Sequence, residues 1–66
     1  MSDKVLTKMS AEHMLSQAAT DMRKAAETLA FVSKERSLGE WHSSVDGVIQ
    51  VTRAHANLVD KARRSL

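Results

Sequence analysis

From Leu38 to the end of the chain, Leu38, Trp41, Val45, Val48, Thr52, His55, Val59, Ala62 and Leu66 recur at alternating spacings of three and four. That spacing places side chains on one stripe of an α-helix and excludes the period of two that a half-buried strand needs. The first half carries the same signal in Leu15, Ala18, Met22, Ala25, Leu29 and Val32. No proline interrupts either stretch, the chain has two glycines, and alanine is abundant, all of which favours helix. The reading is an all-α fold.

The stretch between the stripes, Ser33 to Trp41 (SKERSLGEW), carries the turn signals. Ser37 followed by Glu40 has the spacing of a capping box at the start of a second helix. Gly39 gives a rival reading as the left-handed residue that ends the first. Ser10 is the expected N-cap of the first helix. The expected organisation is a single domain over residues 1–66, with an N-terminal arm over 1–9, helix over about 10–34, a turn over about 35–39 and helix over about 40–65. A short connection makes neighbouring helices antiparallel, so the monomer is expected to be a helical hairpin.

A chain of 66 residues buries only about 60% of its unfolded surface. Small chains compensate with disulfides, metals or association. This one has no cysteine, and His13, His42 and His55 lack the helical spacing of metal ligands. Association remains. Helix 2 carries a further apolar line, Gly47, Val51, Ala54 and Leu58, so its apolar surface is wider than one partner helix covers. We therefore expect hairpins to associate as a homo-oligomer, most simply a dimer forming a four-helix bundle, with Gly47 allowing close approach. The expected interface residues are Trp41, Val45, Val48, Val51, His55, Leu58 and Val59.

Ten Lys or Arg against eight Asp or Glu leave a net charge of +2, mild for a nucleic-acid binder, and DNA is not expected as a partner. The N-terminal stretch lacks the apolar core of a signal peptide, and the longest apolar run is Leu29 to Val32. A cytoplasmic protein without a membrane partner is expected. No nucleophile, base and orienting group are brought together by any motif, so neither an enzyme nor a cofactor is expected. The basic residues fall into groups: Arg23 with Lys24, Lys34 with Arg36, and Lys61 with Arg63 and Arg64, the last at a helix C-terminus where the dipole favours cations and where Asp60 can pair with Arg64. Arg53 stands alone in mid-helix. The four methionines read as adaptable core fillers, although Met9 and Met14 could serve a groove.

The segment SKERSL, Ser33 to Leu38, resembles the S-R-E-x-S-L segment that opens the second long helix of phage anti-CBASS proteins, small helical sponges for cyclic oligonucleotide signals. GVIQVTRA, Gly47 to Ala54, is similar to a helix-2 segment of some members. Together the two segments cover about a fifth of the chain. The resemblance implies an oligomer of hairpins that holds cyclic di- or trinucleotides between subunits and hides them from a bacterial defence effector. The matching polar positions are Lys34, Arg36, Ser37, Thr52 and Arg53. Members tend to carry an N-terminal aromatic that stacks on a base, whereas nothing aromatic precedes Phe31 here. The functional expectation is a non-enzymatic accessory protein of a phage or other mobile element, acting by sequestration. The alternatives are an inhibitor that blocks a host or defence protein, an RNA-binding four-helix-bundle dimer and a self-assembling scaffold without ligand.

Overall fold

A computed structural model describes residues 7–66; the rest of the expected N-terminal arm lies outside the described residues. The chain folds as two antiparallel helices, α1 (Lys8–Glu35) and α2 (His42–Arg64), joined through a single 3-10 turn at Gly39–Trp41. Among the described residues there is no strand, and no helix is long and apolar enough to cross a membrane.

α1 begins earlier than the expected Ser10 cap. Thr7 holds an extended backbone, and its Oγ1 accepts the Ser10 N–H at 3.0 Å. Thr7 and Ser10 offer the same capping chemistry, and the one that allows almost another turn of backbone hydrogen bonds is used. The helix ends where Arg36 turns extended, with its N–H still donating to the Val32 carbonyl at 2.9 Å.

Gly39 does adopt the left-handed conformation, with φ of 58°, but it opens the 3-10 turn instead of ending α1. A side chain there meets nothing within 4 Å, so the cost of replacing Gly39 is backbone strain alone. The capping box does not form: Ser37 Oγ accepts the Gly39 N–H at 3.4 Å, and Trp41, the residue before α2, offers no side-chain cap. The 3-10 turn takes over that work, because the Trp41 and His42 N–H groups donate to the Leu38 and Gly39 carbonyls. At the far end Lys61, Arg63 and Arg64 occupy the last turn of α2, where the dipole favours them.

The helices meet along Leu15, Ala19, Met22, Ala26, Leu29 and Ser33 on α1, and Val45, Ile49, Thr52, Ala56, Val59 and Arg63 on α2. The sequence pattern had Ala18, Ala25 and Val32, and Val48, His55 and Ala62, at the alternate positions. In both helices the structure moves those positions one residue onward, so this is a correction of phase and leaves the spacing intact. The reason is packing: Ala19, Ala26 and Ala56 are completely buried, which lets the two backbones approach closely. Among the described residues Ile49 is the only large apolar one nearly buried, at 5% exposure, and no large side chain is fully buried.

A polar clasp fixes the register. Arg23 donates from Nη2 to Asp60 Oδ2 at 2.7 Å and to Asn57 Oδ1 at 3.0 Å, while Arg63 Nε, buried without a hydrogen bond, stands 3.8 Å from Asp60 Oδ1. Asp60 was expected to pair with Arg64; it pairs across the hairpin instead. The hydrogen bond from Arg23 holds its carboxyl below the ordinary carboxylate range, against an opposing effect of desolvation, with the charges of Arg23, Arg63 and Arg64 adding to the shift. A depressed folded pKa stabilises the fold above the ordinary value of 3.8 and ceases to do so as pH falls through the folded value. Asp60→Asn is therefore expected to melt below the wild type at neutral pH, with the gap closing from about pH 4 downward. A gap that stays constant to lower pH in thermal melts followed by circular dichroism would contradict the clasp.

Candidate functional site

Lys34 sits in the last turn of α1, Arg36 is its terminal cap and Ser37 follows in the turn; all three are exposed. The ion pairs among the described residues involve Arg23, Asp60 and Arg63, so the side chains of Lys34, Arg36 and Arg53 are uncommitted there. At the same end Ser33 Oγ lies 3.4 Å from His42 Nδ1 and ties the two helices across the turn. The turn thus presents two cations and a hydroxyl on a braced support.

Thr52 and Arg53 do not join them. Thr52 is half-buried in the seam against α1. Arg53 is exposed, but it stands about 16 Å along the axis from His42 at 1.5 Å per residue. A single hairpin therefore separates the expected five-residue site into a turn group and a mid-helix group.

The expected interface residues divide as well. Val45 and Val59 are half-buried and face α1, serving the seam within the chain. Trp41, Val48, Val51 and Leu58 are 51–64% exposed, and His55 is exposed. Val48, Val51, Leu58 and Ala62 form one line on α2, and Met14, Ala18, Ala25 and Val32 form another on α1. At about 100° per residue, each line lies roughly a quarter turn around from its own seam, in the same rotational sense on both helices. In an antiparallel pair the same sense means the same side, so the two lines share one face of the hairpin. The clasp confirms this geometry, because Arg23, Asn57 and Asp60 are all displaced in the opposite sense and meet on the other face. Lys34 and Arg53 share that polar face.

At the start of α1, Met9, Ser10, His13 and Met14 line a shallow, mostly apolar depression. Among the described residues no group of three His or carboxylate side chains could hold a metal. Sequence reasoning missed the Arg23–Asp60–Asn57 clasp, whose partners lie 34 and 37 residues apart in the chain and carry no local spacing signal. No protein-family profile matches the chain, and no curated protein or solved structure matches it.

Proposed function

We propose that this chain is a small binding protein that acts by sequestration, a cytoplasmic accessory factor of a phage or other mobile element, and that it holds a cyclic di- or trinucleotide at the turn. The observation that carries this reading is the pairing of Lys34 and Arg36 with Ser37, exposed and uncommitted among the described residues, at the braced end of the hairpin. Arginine presents a fork of donors that matches phosphate oxygens, and a hydroxyl adds a neutral donor beside it. The same turn carries the resemblance to anti-CBASS sponges, which supplies the ligand class.

Native mass spectrometry of the chain with added cyclic di- and trinucleotides tests the reading. Adducts at a fixed ratio to subunits are expected, and Arg36→Ala should weaken them by at least about tenfold, the loss of a hydrogen bond to a charged group. Arg53→Ala should leave a turn-held ligand in place, because Arg53 is remote from the turn. A chain that ignores every cyclic nucleotide would sink the proposal. The second reading, an inhibitor of a host protein, draws on the Met9 and Met14 depression, since methionine adapts to varied apolar partners. It predicts that Met14→Asp, and not Arg36→Ala, abolishes capture of that protein.

A further inference from the structure

The two faces of the hairpin are unlike, and among the described residues nothing lies over the apolar one. The seam beneath it buries three alanines and one isoleucine, too little for a chain of this size to rely on alone. Along the length of α2 the apolar face measures about 35 Å, and two packed helices are about 20 Å wide, giving roughly 700 Å² of flat projection. A standard protein interface takes about 800 Å² from each partner. The face is the size of an interface.

We infer that a second copy of this chain covers this face, with the two-fold axis running parallel to the helices, so that α1 of each copy lies on α2 of the other and both turns sit at one end of a four-helix bundle. Two observations choose this arrangement over the one with turns at opposite ends. The α1 line is small in its middle, with Ala18 and Ala25, while the α2 line is large, with Val48, Val51 and Leu58. Laying α1 on the partner's α2 sets small residues against large ones, the condition for interdigitated packing. The opposite-end arrangement sets large against large on one side and small against small on the other.

Charge gives the second observation. Asp21 is the only charged residue between Met14 and Val32 in the α1 line. With turns at one end, the two Asp21 residues stand on α1 helices that lie diagonally across the bundle and do not meet. With turns at opposite ends, α1 lies on α1 about the midpoint of the Met14–Val32 line, and the two Asp21 residues come within about 6 Å along the axis at 1.5 Å per residue. Like charges brought together over an apolar face with no cation between them oppose association.

The pairing does not depend on the nucleotide reading, because Lys34 stands on the polar face, away from the covered one.

The chain has no cysteine, so Ser37→Cys and Ser65→Cys each introduce a single thiol into the full chain. Without nucleotide, a short bis-maleimide should join Ser37→Cys chains to one another. In an equimolar mixture that product should exceed the product joining Ser37→Cys to Ser65→Cys by at least about tenfold, because thiols held at one end of a dimer meet at high effective concentration. A dominant mixed product would overturn the arrangement, placing the turn of one copy at the helix ends of the other. The absence of any cross-link would overturn the pairing. Neither result bears on whether nucleotide binds, which the mass spectra read separately.

Discussion

Replacing Leu58 by Glu is expected to abolish association of the chain. Leu58 is 60% exposed in the hairpin, so the change spares the seam within one copy. In the proposed pairing it lies on the covered face. Burying a leucine contributes about 1.5–3 kcal/mol, and two copies per dimer double that, so losing the apolar term alone raises the dissociation constant by about a hundredfold to ten-thousandfold. A carboxylate desolvated without a partner adds to the effect. Sedimentation should show a monomer at concentrations where the wild type pairs, with helix content falling as well, since the isolated hairpin has so little core. A variant that sediments as the wild type does would remove Leu58 from any interface.

Ile49→Ala should produce the largest loss of stability within the hairpin. Ile49 is 5% exposed, the one large side chain of the seam that is nearly buried among the described residues. Truncations of this kind cost about 2–5 kcal/mol. A chain of this length has about 3–10 kcal/mol of stability in total. The midpoint of thermal unfolding should therefore fall by about 8–40 °C, at roughly 4–8 °C for each kcal/mol in a domain of this size. Val48→Ala, one residue earlier, should act on association more than on the seam. If Val48→Ala destabilises more than Ile49→Ala across all chain concentrations, the seam has been assigned to the wrong line.

The two helices and the turn between them were legible from the three-four spacing and the absence of proline. The facing line was not. Ala18 and Ala19, and again Ala25 and Ala26, are chemically identical neighbours, and Val48 and Ile49 are nearly so. Both lines are apolar because one faces the other helix and the other lies on the apolar face, so hydropathy alone could not say which was which. The cap moved from Ser10 to Thr7 for a similar reason, since two competent residues lay within one turn.

Asp60 shows a different limit. The spacing to Arg64 is a sound local rule, yet Arg23, distant in sequence, reaches the same carboxylate at 2.7 Å. Tertiary register decided that contact. Of the candidate site, the group Lys34, Arg36 and Ser37 was legible because the turn itself gathers it. The separation of Thr52 and Arg53 followed only once the rise of α2 was measured from a known start.

The most direct test is sedimentation equilibrium of the wild-type chain across a wide concentration range, paired with its thermal midpoint at each concentration. A face-to-face pair of hairpins predicts a species of twice the 7.3 kDa chain mass and a midpoint that rises with concentration, because folding and association are then linked. A single 7.3 kDa species, fully helical and melting at the same temperature at every concentration, would show that the hairpin stands alone and that its apolar face is not where copies meet.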